Sequence, residues 1–266
     1  MKKASAPSES LPSYKRPDLQ ILRAVAVILV LGYHLGIPGF GNGFLGVDMF
    51  FVISGFLMAN LYTKYSVLEF YRRRIARLLP AYGFILFLTS VAAFLVIGPN
   101  EFRQMASQVW AAASFTSNIL YWSQNSYFST DNFSPLLHLW SLGVEAQFYL
   151  LVPFLLPLIR NRRSLFALVF LLSLGLCLYF QFLSPKTAFF LTPMRVWEFL
   201  VGAWVAWRPE ITLPGKWIRN LNRLAVVFSL SALLFLFTTD PHSKGNLVFG
   251  HPGLFALIIA VLTGAL

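Results

Sequence analysis

The chain has 266 residues, of which 57% are hydrophobic and 12% charged, with a mean hydropathy of +0.67 and a net charge of +11. Soluble domains run about 45–50% apolar and about 25% charged, so a soluble fold could not hide this much apolar surface. The excess of cations would suggest nucleic acid in a soluble protein, but here the basic residues collect between apolar runs and read as topology signals, so no nucleic-acid partner is expected.

Residues 1–17, rich in Ser and Pro, read as a disordered cytoplasmic tail. The apolar run that follows lacks a small-residue cleavage site and reads as an uncleaved signal anchor. Lys2, Lys3, Lys15 and Arg16 precede the first span, and Arg72, Arg73, Arg74 and Arg77 follow the second, which puts both basic segments in the cytoplasm. Span one covers residues 19–37, a turn holding Gly39, Gly41 and Gly43 faces outward, span two returns over 44–62, and span three leaves over 78–97. Residues 98–135 are then external, with 102–120 an interfacial or re-entrant helix.

Span four enters over 136–159 and ends at Arg160, Arg162 and Arg163. Span five leaves over 164–183, and span six returns over 188–207 to a segment holding Arg208, Lys216, Arg219 and Arg223. Span seven is 224–238, and a short apolar run at 253–266 reads as an incomplete last span of a truncated chain. The expected fold is therefore an all-α, polytopic transmembrane helical bundle of about eight spans over residues 18–266. Tyr121, Trp122, Tyr127 and Trp140 on one side and Trp204, Trp207 and Trp217 on the other are expected to anchor the interfaces. No internal repeat is visible. The single cysteine, Cys177, lies in an apolar run and permits neither an intrachain disulfide nor a thiolate metal site.

Each ionisable group inside a span costs at least about 2.5–3.5 kcal/mol and needs a partner or a purpose. Arg23, His34, Asp48, His138, Glu145, Arg195 and Glu198 fall in this class. Arg23 and His34 are 11 residues apart, which returns to one helix face about 16 Å further along the axis. Asp48 sits early in span two, at roughly the depth of His34. The pair either orients an imidazole as a general base or satisfies two buried polar groups. His138, Glu145 and Tyr149 share a helical stripe at offsets of seven and four, with Glu145 near mid-membrane. Arg195 and Glu198, three apart, can bridge each other structurally. The Arg72–Arg74 run can bind phosphate oxygens in a forked geometry or serve as a topogenic cluster.

The ordered motifs make a specific pattern: Arg16 to Gln20, Arg23 with ten residues before His34, the Gly43 to Phe56 segment, Phe70 to Pro80, His138 to Pro153, and Arg195 to Ala203. This pattern resembles membrane-bound acyltransferase family three, bacterial inner-membrane enzymes that O-acylate surface glycans, over nearly the whole chain after the tail. The resemblance implies that His34 is the essential catalytic residue of an arginine-to-histidine signature. It also implies that Arg23, Arg72, Arg73 and Arg74 serve an acyl-CoA donor, acetyl-CoA above all, and that no metal is needed. Asp48 and Glu145 are the further catalytic candidates, and His138 and Tyr149 the candidates for binding substrate. A second acidic residue is usual in the family where this chain has Ala146, which argues against a paired-carboxylate mechanism there.

The expected activity is transfer of an acetyl or other acyl group from the cytoplasm to a hydroxyl of an extracytoplasmic glycan or glycolipid, lipopolysaccharide among the possible acceptors. The membrane lipids are the remaining partner, and the oligomeric state is open. The competing class is a transporter or glycolipid flippase, since intramembrane His, Asp, Glu and Arg also line substrate and proton pathways. It predicts broken spans at matching places in two halves.

Overall fold

The computed structural model describes residues 17–96, 98–124 and 134–208. The expected spans at 224–238 and 253–266, the interface anchors Tyr127 and Trp217, and nearly all of the expected tail lie outside these. The order of helices is α1 Pro17–His34, α2 Gly46–Leu61, α3 Val67–Val96, α4 Pro99–Ala113, α5 Ser117–Gln124, α6 Trp140–Arg160, α7 Arg163–Leu183, α8 Pro185–Phe190 and α9 Val196–Trp207. Short 3-10 turns at Gly43–Leu45, Leu137–Leu139 and Thr192–Met194 lead into α2, α6 and α9. Four helical stretches, Gly43–Leu61, Val67–Val96, Leu137–Arg160 and Arg163–Leu183, are long and apolar enough to cross a membrane, and the described parts of α1 and α9 are shorter apolar helices. The chain is a multi-pass membrane protein. Phe84, Phe87, Phe94 and Leu95 of α3 and Leu168, Leu171 and Phe182 of α7 are exposed. A soluble protein could not leave so broad an apolar surface bare, whereas hydrocarbon accepts it without cost.

Two backbone approaches set the positions of α1, α2 and α9. A Cβ on Gly46 would stand 2.6 Å from the Ala26 carbonyl oxygen, so α1 and α2 meet main chain to main chain. On the other side of α2, a Cβ on Gly55 would lie 2.0 Å from the Phe199 carbonyl oxygen, and one on Gly202 would lie 1.9 Å from that of Val52. Small residues permit this closeness where lipid supplies no hydrophobic drive to associate. Phe51 and Phe148 stack on either side of Phe199, at centroid distances of 4.8 and 4.1 Å, and fill the space around the contact.

Several sequence expectations are corrected. Span three, expected from residue 78, belongs to a helix that begins earlier: the arginine run lies in the first turns of the 30-residue helix α3. The helix expected at 102–120 is divided at Phe115, whose φ of 56° is left-handed. That turn is held by stacking of Tyr82 on Phe115 at 4.8 Å and by the Tyr82 hydroxyl donating to the Ala112 carbonyl at 2.8 Å. Span six is broken rather than continuous. Leu191 is extended, and Pro193 in the 3-10 turn that follows has no amide to donate to the Phe189 carbonyl, so the helix cannot run through. The break is satisfied by Ser173, whose hydroxyl donates to the Pro193 carbonyl at 2.6 Å and accepts from the Trp197 amide at 3.0 Å. Tyr121 and Trp140 do not anchor an interface, because both are buried. Tyr121 donates to Gln108, while Trp140 packs against Phe51, Phe189 and Phe190.

Gly55→Ala and Gly202→Ala should each destabilise the folded bundle by about 1–3 kcal/mol, since backbone must shift to admit the methyl group. Gly83→Ala, where nothing lies within 4 Å, should not. Thermal midpoints of the three variants in one detergent check this.

Candidate functional site

The end of α1 fixes His34. Gly36 adopts φ 64°, the Ile37 amide donates to the Gly32 carbonyl at 3.0 Å, and the Gly36 amide donates to that of Tyr33 at 3.1 Å. This paired closure ends the helix on a left-handed residue, which glycine adopts freely. His34 is thereby the last helical residue, and its Nδ1 lies 2.8 Å from the Val30 carbonyl oxygen. A carbonyl only accepts, so Nδ1 carries the proton and the neutral ring keeps its lone pair on Nε2. The imidazole is exposed into a cavity of about 330 Å³ lined also by Val30, Val47, Phe50, His138, Ser141 and Phe189.

Asp48 does not orient this ring. The face of α2 toward the cavity carries Val47 and Phe50, and Asp48 is turned about 100° from Val47. Its carboxylate instead meets Arg195 Nη2 at 2.9 Å, while Arg195 Nη1 meets Glu198 at 2.8 Å, and all three side chains are fully buried. This ion triad ties the start of α9 to the start of α2, on the same stripe of α2 that carries Val52 and Gly55.

A second cavity, of about 230 Å³, lies on the other side of Val47, Phe50 and Ser141, which line both. Arg23 of α1, Arg74 and Arg77 of α3, and Glu145 and Tyr149 of α6 line it together with Ser54. The Ser54 hydroxyl donates to Glu145 Oε1 at 2.5 Å, and the Tyr149 hydroxyl is 3.1 Å from Glu145 Oε2 and 3.2 Å from Ser54 Oγ. Three guanidiniums thus face one carboxylate, and the surplus positive charge suits a polyanionic ligand.

Arg72 and Arg73 are not brought to this cavity. Helical spacing places Arg74 and Arg77 on one face and turns the other two away. Arg72 is exposed, and Arg73 pairs with Glu69 at 2.7 Å and lies over the Tyr65 ring at 4.3 Å. The stripe of His138, Glu145 and Tyr149 is likewise divided. His138 belongs to the 3-10 turn before α6 and joins the cavity of His34, while Glu145 and Tyr149 join the arginines. Sequence reasoning did not single out Ser54, Ser141 or the particular position of Arg77. The available signal was periodicity: Val47, Phe50 and Ser54 follow i, i+3, i+7, and Arg77 follows Arg74 by three.

Behind the site, Gln147 ties three elements together. Its Nε2 donates to the Phe115 carbonyl at 3.2 Å and to Asn118 Oδ1 at 2.9 Å, and its Oε1 accepts from the Thr192 hydroxyl. Asn118 in turn donates to the Phe190 carbonyl at 3.1 Å.

Among known proteins, residues 16–265 match the family model described as "Acyltransferase domain". The chain is similar to O-acetyltransferase OatA of Staphylococcus aureus. The proteins of strains NCTC 8325 / PS 47, COL and N315 are each 35% identical over 274 residues, which covers 92% of this chain and 45% of the relative. The chain therefore spans just under half the length of these curated relatives. No solved structure matches it.

Arg195→Met should cost about 3–5 kcal/mol by leaving two buried carboxylates without their cation. His34→Ala, which removes an exposed ring with one local hydrogen bond, should change stability by no more than about 0.5 kcal/mol. Folded yield and thermal midpoint after extraction distinguish the two.

Proposed function

This chain belongs to the acyltransferase domain family, and from that membership we propose that it is an integral membrane O-acetyltransferase. It moves an acetyl group from cytoplasmic acetyl-CoA to a hydroxyl of an extracytoplasmic glycan or glycolipid. It resides in the bacterial inner membrane with its N-terminus in the cytoplasm, so that the arginine cavity opens inward and the histidine cavity outward. The observation that carries this reading is the pair of cavities meeting at Val47, Phe50 and Ser141, one lined by three arginines and the other by two histidines.

In this reading Arg23, Arg74 and Arg77 hold the phosphates of the donor, guanidinium being matched to phosphate in charge and geometry. Ser54, Glu145 and Tyr149 form a polar wall able to donate and accept hydrogen bonds, as the amides of the pantetheine arm require. His34 Nε2 takes the proton of the acceptor hydroxyl as its oxygen attacks the thioester carbonyl carbon. The C–O bond forms, the C–S bond breaks, and the imidazolium returns the proton to the departing thiolate. The Val30 carbonyl orients the base, and His138 borders the approaching acceptor. Asp48 acts at a distance, by holding α2 through Arg195.

His34→Ala should reduce transfer of labelled acetyl from acetyl-CoA to extracted glycans by roughly 10²–10⁴-fold at equal folded amount. Transfer that survives the substitution would remove His34 from the chemistry. Combined Arg74→Ala and Arg77→Ala should raise the KM for acetyl-CoA by at least about tenfold, with a smaller change in kcat, because binding to the phosphates is shared by ground and transition states. An unchanged KM would contradict the donor site, and initial rates over a range of acetyl-CoA decide it.

A further inference from the structure

Three side chains are common to the linings of the two cavities. Val47 and Phe50 of α2 and Ser141 of α6 line both spaces, and each is half-buried, open to a cavity on either side. Phe50 is the only large one. A group that passes from the arginine cavity to the imidazole of His34 where the two linings join crosses beside its ring.

The backbone that carries Phe50 is held from two directions. On its far side α2 is bound to α9 by the Asp48–Arg195 ion pair and by the approaches at Gly55 and Gly202. Toward α1 it is bound by the approach at Gly46. The helix therefore has little freedom to withdraw and widen the passage. The cross-section depends on the side chains themselves, and an aromatic ring rotates between few positions and does not compress.

We propose that Phe50, with Val47 and Ser141, is an acyl-size filter that passes an acetyl group and rejects longer acyl chains. This inference rests on the acyltransferase reading above and adds to it the side chains that set the acyl length. Ser141 supplies the polar part of the wall, Val47 the fixed apolar part, and Phe50 sets the width. A pocket that discriminates by fit gains roughly 10–200-fold in selectivity per methylene, so removing the ring should relax selectivity by at least about tenfold.

The test measures transfer from acetyl-CoA, propionyl-CoA and butyryl-CoA to the same extracted glycan in membranes carrying the wild-type chain, Phe50→Ala or Val47→Ala. Each value is normalised to monodisperse folded protein. Val47→Ala, a smaller change in the same wall, carries the test should Phe50→Ala not fold. The expected result is a wild-type preference for acetyl over butyryl that falls at least about tenfold with Phe50→Ala and by a smaller factor with Val47→Ala. A wild type that transfers acetyl, with variants that keep its acetyl-to-butyryl ratio, would overturn the filter and leave the acyltransferase reading standing. A wild type that transfers none of the three would overturn the acyltransferase reading, and the filter with it.

Discussion

A guanidinium removed from water has to be neutralised by the protein around it, and Arg195 meets that requirement with two carboxylates, Asp48 on α2 and Glu198 on its own helix. Each of the three groups would be costly alone in an apolar bundle, and breaking one partnership strands the others. The interaction is therefore directional in a way that aliphatic packing is not. It aligns the beginning of α9 with the beginning of α2, and about two turns further along each helix Gly55 and Gly202 let the two backbones touch. With that face of α2 committed to α9, the opposite face, carrying Val47, Phe50 and Ser54, is presented to α1, α3 and α6. Both cavities are built against it.

The remaining walls have their own local causes. The left-handed closure at Gly36 stops α1 at His34, and the Val30 carbonyl sets the tautomer of the ring. The length of α3 carries its arginines in a helix, so that only Arg74 and Arg77 turn inward. Gln147 and Asn118 bind α5 and the broken segment before α9 to α6. This fixes the helix that supplies Ser141, Glu145 and Tyr149. The polar groups named above are thus of two kinds: Gln147, Asn118 and the Arg195 triad are held by hydrogen bonds and ion pairs within the bundle, while His34, Glu145 and the inward-turned arginines line open space.

Much of this is legible in the sequence. Long apolar runs with basic residues between them identify a polytopic bundle, and the expense of charge in hydrocarbon picks out Arg23, His34, Asp48, His138, Glu145, Arg195 and Glu198. Depth along a span is legible from residue count, which is why Asp48 and His34 looked like a pair. Azimuth is not, since it depends on which face of α2 the rest of the bundle occupies, and that is decided by Arg195, more than a hundred residues later. Arg72, Arg73 and Arg74 look equivalent as a run of basic residues and become unequal only on a helix. The break at Leu191 and the left-handed turn at Phe115 are not legible in the sequence because distant side chains, Ser173, Gln147 and Tyr82, satisfy the backbone that each interruption leaves open.

The central claim is that two cavities from opposite sides of the membrane meet at the wall formed by Val47, Phe50 and Ser141. Single-cysteine labelling tests it directly, with a membrane-impermeant thiol reagent applied to right-side-out and inverted vesicles carrying Arg77→Cys or His138→Cys in a Cys177→Ala background. The account predicts that Arg77→Cys reacts only when the cytoplasmic face is exposed and His138→Cys only when the outer face is. Reaction of both positions from the same face would contradict it.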